Sequence, residues 1–239
     1  MVSDIHSNLE ALKSVISDAE SKGGFDEIWS LGDLVGYGPD PVACVDLIRN
    51  YQNKSVSGNH DLAAVGRLSL EGFNDHAAAA NRWTAQQLRK DQVEYLFNLP
   101  LKIELYDFTL VHGSPRDPIW EYVVSSDIAN ISFMHFDTNW CIVGHSHIPF
   151  VCRPAENDVK WSSFPIDSPV LLNPDRMIIN PGGVGQPRDG DPRASYVVYD
   201  SEVSSLMHCR VEYDIPKTQE KMRQQGLSKF LINRLSLGK

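Results

Sequence analysis

A chain of 239 residues, 42% hydrophobic and 22% charged, is long enough to bury a substantial core. Its formal net charge of −9 disfavours broad binding to nucleic acid or to an anionic membrane, because both want a basic face; a small, locally positive pocket stays open. No apolar run is long enough to span a bilayer and none reads as a signal peptide, and Cys44, Cys141, Cys152 and Cys209 form no C-x-x-C pair, so reduced core thiols in a cytoplasmic protein are expected.

In chain order, Ser7 to about Lys22 reads as a helix, with Leu9, Leu12, Ile16 and Ala19 on one face and Ser7-Asn8-Leu9-Glu10 as a capping box. A strand is expected at 27–31, ending in Gly32-Asp33. A second helix opens at Asp40-Pro41 and runs to about Tyr51, and a short strand at 54–57 ends at Gly58. Residues 75–98 read as one helix that stops at Pro100. A hairpin follows, 101–105 and 108–111 about a turn at Tyr106-Asp107. A helix at 126–136 and a buried strand at 140–143 come next. Beyond 150 the pattern turns mostly to strands, at 149–153, 159–162, 169–172, 177–180, 195–200 and 205–213, with a last helix at 217–235. No repeat or separating linker divides the chain, so one domain, 1–239, is expected. Strands that alternate with helices early and pair as hairpins later suggest an α/β (α+β) fold of two packed sheets with helices on the outer faces.

The residues at the strand ends carry the chemistry. Ser3-Asp4-Ile5-His6, Gly32-Asp33, Gly58-Asn59-His60-Asp61, His112-Gly113 and Gly144-His145-Ser146-His147 deliver Asp, His and Asn, with glycines that let the backbone turn sharply. Loops past the carboxyl ends of strands are where open α/β sheets bind ligands. These segments hold His6, His60, His112, His145 and His147, five of the eight histidines. His76, His135 and His208 read as surface or packing residues. Asp4, His6, Asp33, Asn59, His112, His145 and His147 are more ligands than one ion takes, but they suit two ions sharing a carboxylate. Imidazole with carboxylate and carbonyl oxygen suits Mn²⁺ first, or Fe, Zn²⁺, Co²⁺ or Ni²⁺, and argues against Ca²⁺ or a thiolate site.

Taken together and in this order, D-x-H, G-D, G-N-H-D, H-G and G-H-S-H resemble the calcineurin-like metallophosphoesterases. The likeness runs nearly end to end. The stretch from Asn180-Pro181-Gly182-Gly183 to Arg193 and the tail Gly226 to Leu235 look like the small prokaryotic phosphodiesterase branch. The resemblance implies a four-layer sandwich of two mixed β-sheets flanked by helices. It implies that Asp4, His6, Asp33 and His147 hold one metal, that Asn59, His112 and His145 complete a second with Asp33 bridging, and that His60 sits beside the substrate. Only Met1, Val2 and Ser3 precede Asp4, fewer residues than a strand usually has, so the first metal site is expected to be the looser one.

Two divalent ions against two aspartates leave a cationic pocket that favours phosphate. Such ions, about 3.5–4 Å apart, can share a water and lower its pKa, and the hydroxide attacks phosphorus in line with the leaving oxygen. His60 is the candidate general acid. Asp61 could orient or charge it, or could be a solvated turn carboxylate. Arg188 or Arg193 could fork onto a substrate phosphate, or could hold a loop by salt bridges; Arg188 is preferred, with Arg116 a second candidate. The expected activity is a dinuclear-metal-dependent phosphoester hydrolase acting on a small substrate, with a diester slightly preferred. A phosphomonoesterase, a protein Ser/Thr phosphatase and a dinucleoside-polyphosphate hydrolase are the alternatives; a nuclease fits the acidic balance poorly. The other class is a catalytically silent binding scaffold on the same fold. The sequence does not speak to the oligomeric state.

Overall fold

The computed structural model describes residues 1–156 and 158–239. Helices α1 (Leu9–Ser21), α2 (Pro41–Arg49), α3 (Asn59–Ala64), α4 (Asp75–Gln87), α5 (Lys90–Phe97), α6 (Ser126–Ser132), α7 (Ile215–Gln224) and α8 (Lys229–Arg234) surround eleven strands. The strands are β1 (Ile28–Ser30), β2 (Asn53–Ser55), β3 (Lys102–Leu105), β4 (Phe108–Val111), β5 (Trp140–Ile142), β6 (Phe150–Pro154), β7 (Val159–Ser163), β8 (Pro169–Leu171), β9 (Met177–Asn180), β10 (Ala194–Asp200) and β11 (Ser205–Val211).

A mixed six-stranded sheet has the order β3-β4-β5-β9-β6-β7, with β4, β5 and β9 parallel at its centre. The antiparallel β10-β11-β8 and the parallel pair β1-β2 are joined by the first two residues. Met1 and Val197 exchange backbone hydrogen bonds, the Val2 amide donates to Trp29, and the Leu31 amide donates to Val2. This stitch makes a second mixed layer out of two short pieces.

Strand alternation sorts side chains into layers. Leu110, Ile142, Val151 and Ile179 of the large sheet meet Trp29, Leu31, Val197 and Leu206 of the small one. Their strand neighbours Val111, Cys141, Cys152 and Ile178 point the other way, against Ala129 and Phe133 of the α6 region. On the far face of the small sheet, Tyr196 and Cys209 pack on Leu12, Ile16, Ile48 and Leu96 from α1, α2 and α5. Helix, sheet, sheet, helix is the expected sandwich. All four cysteines are buried. No described helix is long and apolar enough to cross a membrane.

Three local expectations change. The helix expected over 75–98 is two, because Leu88 is extended and turns inward, and the Gln92 side chain accepts the Arg89 amide to start α5 afresh. The helix expected over 217–235 also divides. Gly226 takes a left-handed φ of 69° after α7, and Ser228 caps α8. Asn59, placed at a strand end, instead begins α3.

Candidate metal centre

The ligand-type residues follow the carboxyl ends of strands from both sheets. Asp33 follows β1, Asn59 follows β2, His112 follows β4, and His145 and His147 follow β5. Asp4 and His6 lie on the segment beside β1, where their amides donate to the carbonyls of Gly32 and Asp33. That segment forms a single bridge, Val2 to Ser30. It is nonetheless tied on its other side too, since the Val184 and Gly185 amides donate to Ser3 and Asp4.

The turns are tight. Asp4, His6, Ser7, Asp33, Tyr37, His145 and His147 all have positive φ, seven of the ten non-glycine residues that do. Each costs on the order of 1 kcal/mol or more and persists only where its surroundings over-determine it. Gly58 shows how close the loops lie: a Cβ there would overlap the Asp33 carboxylate and amide. At Gly144 a Cβ would strike the Ser3 hydroxyl. Asn180 locks the His145–His147 loop, its Nδ2 donating to the Gly144 carbonyl at 2.8 Å and to Ser146 Oγ at 3.1 Å. This gives a positional role to the Asn-Pro-Gly-Gly stretch, which the sequence singles out without a function.

Each aspartate is half tied and half free. Asp4 Oδ2 accepts from Ser3 Oγ (2.7 Å) and the His145 amide (3.1 Å), while its Oδ1 has no hydrogen-bond partner. Asp33 Oδ1 accepts the His60 amide (2.8 Å), leaving Oδ2 at 3.6 Å from His6 Nε2 and 3.4 Å from His112 Nε2. The imidazoles are oriented by backbone carbonyls: His6 Nδ1 on Val35, His112 Nδ1 on Leu31 and His147 Nδ1 on Gln186. A carbonyl only accepts, so these Nδ1 atoms carry the hydrogens, and the neutral rings of His6 and His147 turn Nε2 lone pairs inward.

Those lone pairs face one another. His6 Nε2 is 3.2 Å from His147 Nε2, which is 3.2 Å from Asp4 Oδ1. His112 Nε2 is 3.0 Å from His145 Nδ1 and 3.1 Å from Asn59 Oδ1. Between His6, His147 and Asp4, where both Nδ1 hydrogens are committed to carbonyls, acceptor faces acceptor, and a buried site of that kind needs a positive charge among them. Asp4, His6 and His147 form one group and Asp33, His112 and His145 another, each with ligand atoms within 4.8 Å of one another. His6, Asp33 and His60 form a third, which overlaps both. Asp4 and Asp33 meet no Lys or Arg in an ion pair among the described residues. The donor set therefore fits two cations with Asp33 between them.

The electrostatics agree. Burial depresses the imidazolium of His6 well below its usual range and holds His145 at about 3, keeping both rings as neutral ligands. Burial also acts against a charge on His112, but Asp33 and then Asp4 outweigh it and raise that group to about 9. This field draws positive charge in.

A cavity of about 80 Å³ opens beside the ligands, lined among others by Asp33, Asn59, His60, His145, His147 and Arg188. His60 Nδ1 donates to Asn81 Oδ1 at 3.2 Å. Asp61 does not orient His60: its two oxygens accept the amides of Val35 (3.1 Å) and Gly58 (3.0 Å), so it fastens the Asp33 and Asn59 loops to each other. Burial, then Asp33, raises its pKa to about 7. Arg116 does not reach the cavity; its guanidinium is spent on Glu121. Arg193 is likewise held by Asp191. Arg188 does reach it, with Nη2 donating to Gln186 Oε1 and a buried Nε that has no partner. His76 and His135 are exposed, and His208 is a buried packing residue between Ser195 and the Phe164 carbonyl. Asn81 beside His60, and Phe73, Trp120 and Tyr122 on the cavity wall, carry no motif that marks them in the sequence.

Known proteins are similar to this chain in sequence and fold. The chain is 48% identical to a metallophosphoesterase from Sphaerobacter thermophilus whose crystal structure superposes with a TM-score of 0.91 over 100% of this chain and 97% of that one. It is 40% identical to an uncharacterized protein of Methanocaldococcus jannaschii, over 100% of this chain and 97% of the relative. A symmetrical bis(5′-nucleosyl)-tetraphosphatase of Actinobacillus pleuropneumoniae is 31% identical over 127 residues, only 50% of this chain and 46% of that enzyme. A model of the calcineurin-like phosphoesterase superfamily domain matches residues 1–204. With strand-end Asp, His and Asn converging between two mixed sheets, that match places the chain in the calcineurin-like phosphoesterase superfamily.

Proposed function

We propose that the protein is a metal-dependent phosphoester hydrolase of small substrates, with a phosphodiester preferred. One observation carries this reading: seven ligand-type side chains converge, with the Nε2 lone pairs of His6 and His147 facing at 3.2 Å, beside a cavity holding Arg188 and His60. Asp4, His6, Asp33 and His147 would hold one ion, and Asn59, His112 and His145 a second, with Asp33 shared. Bound divalent ions would supply charge neutralisation of the phosphoryl oxygens and an activated water. Mn²⁺ is the preferred metal for this nitrogen and oxygen set.

The remaining work falls to the chain. Arg188 has unspent N–H donors for a phosphate oxygen. His60 leaves Nε2 available because Nδ1 is committed to Asn81. Burial, with Arg188 adding to it against the pull of Asp33, holds the His60 imidazolium at about 4. An anionic phosphate beside the ring adds the negative charge that favours its protonated form, and the proton then passes to the leaving oxygen. Asn81 is the positioning partner.

The test is metal analysis of the purified protein combined with a panel of phosphate mono- and diesters under several metals. Two transition-metal ions per chain with turnover of a diester are expected. A folded protein that binds no metal and hydrolyses nothing would identify a silent scaffold instead. The partial likeness to tetraphosphatases keeps a dinucleoside-polyphosphate hydrolase as the second reading, so the panel includes diadenosine tetraphosphate.

A further inference from the structure

Resting on that hydrolase reading, we infer that the leaving alcohol carries an uncharged planar ring, a nucleoside being the natural form, and that Phe73 and Trp120 receive it. The two residues come from distant parts of the chain, yet their rings meet edge to face at 5.0 Å on the cavity wall. Phe73 in turn stands edge-on to His60 at 5.0 Å. The wall therefore begins at the proton donor, the side from which the leaving group departs.

Trp120 is half-buried and belongs to none of the packed apolar clusters. A large aromatic at the mouth of a polar cavity, with no core to serve, offers its surface to a ligand. Gly72 keeps that surface clear, since a Cβ there would come within 3.1 Å of the Trp120 ring. Tyr122 continues the wall, lying flat on His145 with ring centroids 3.8 Å apart and 42% of its surface exposed.

Charge narrows the class. Arg188 is the one Lys or Arg on the described lining. A single phosphoryl group would be met by bound ions and Arg188, whereas each further phosphate of a polyphosphate chain would have no additional Lys or Arg on the described lining. A diester with a single phosphoryl group and a neutral aromatic leaving group matches both the wall and the charge. In the step itself a water-derived oxygen bonds to phosphorus, the bond from phosphorus to the leaving oxygen breaks, and that oxygen keeps the electron pair and takes the His60 proton. The products are a monoester and the alcohol.

Benzyl methyl phosphate and cyclohexylmethyl methyl phosphate test this, because their leaving alcohols match in size and differ in planarity. With the Mn²⁺-loaded protein, kcat/KM should favour the benzyl ester by about tenfold, the ratio that ring stacking typically supports. Trp120→Ala should erase the preference, bringing kcat/KM for the benzyl ester down to that for the cyclohexylmethyl ester, and Trp120→Phe should restore part of the tenfold ratio. Equal turnover of both esters by the wild type would overturn the inference and leave the hydrolase reading intact. Failure to cleave either ester under any metal would count against the hydrolase reading itself. Calorimetric binding of the matched benzyl and cyclohexylmethyl methylphosphonates then decides the ring preference without turnover, equal affinities overturning it.

Discussion

At the scale of single residues, the site is built from atoms with half their valence spoken for. Asp33 gives one oxygen to the His60 amide and keeps the other between two imidazoles. His60 commits Nδ1 to Asn81 and keeps Nε2. His60→Ala should retain both metals and lose about 10²–10⁴ in kcat on alkyl esters, the usual worth of a positioned acid. The loss should shrink on nitrophenyl esters, whose leaving groups need no proton. Asn81→Ala should reproduce part of the kcat loss with little change in KM. An equal drop on both kinds of ester would remove His60 from the acid role. The metal-type residues are legible in the sequence because few side chains bind such ions and glycines mark their turns. Asn81 is not, since on a helix it looks like any polar residue. Arg116 misleads because sequence proximity to His112 says nothing of Glu121, which consumes its charge.

At the scale of elements, strand alternation is the most readable signal. Both strands of the hairpin expected at 101–111 appear within one residue of their reading, β3 at Lys102–Leu105 and β4 at Phe108–Val111. Helix ends read less well. The break at Leu88 depends on Gln92 reaching back to the Arg89 amide and across to the Val42 carbonyl, a contact no local window contains. On β11, His208 is buried, its Nε2 on Ser195 Oγ at 2.8 Å and its Nδ1 on the Phe164 carbonyl. Burial lowers its pKa below the usual 6.5, the Phe164 carbonyl opposes this, Arg210 adds to the lowering, and Asp189 and Asp167 oppose it. A depressed folded-state pKa means that this contribution to stability is complete above about 6.5 and fades as pH falls towards the folded value. Urea midpoints of the metal-loaded protein between pH 7.5 and 5 should therefore fall less steeply in His208→Gln than in the wild type. Parallel slopes would show that His208 does not titrate in this window.

At the scale of the whole molecule, two of the three ligand groups draw on both sheets. Asp4 and His6 lie with the small sheet and meet His147 from the large one; Asp33 and Asn59 meet His112 and His145 likewise. The strand order of the large sheet, β3-β4-β5-β9-β6-β7, is not legible in the sequence, because nothing local tells β9 to insert between β5 and β6. Cations held in these groups would tie the two layers together. Mn²⁺ at about 100 times its dissociation constant should stabilise the protein by roughly 2.7 kcal/mol, which is roughly 5–10 °C in Tm for a domain of this size. Calcium should do far less, and Asp33→Asn should abolish the manganese effect. An equal shift by calcium, or in that variant, would show that the ions bind elsewhere.

The left-handed backbone around the centre also governs how the chain can drift over generations. Ser7 and Tyr37 share that geometry with the ligand-type residues, at φ of 54° and 58°, though neither carries an imidazole or a carboxylate. A β-branched side chain is barred from such a conformation whatever its chemistry. Invariance at those two places in descendants of this gene would record the shape of the turn and not a part in catalysis.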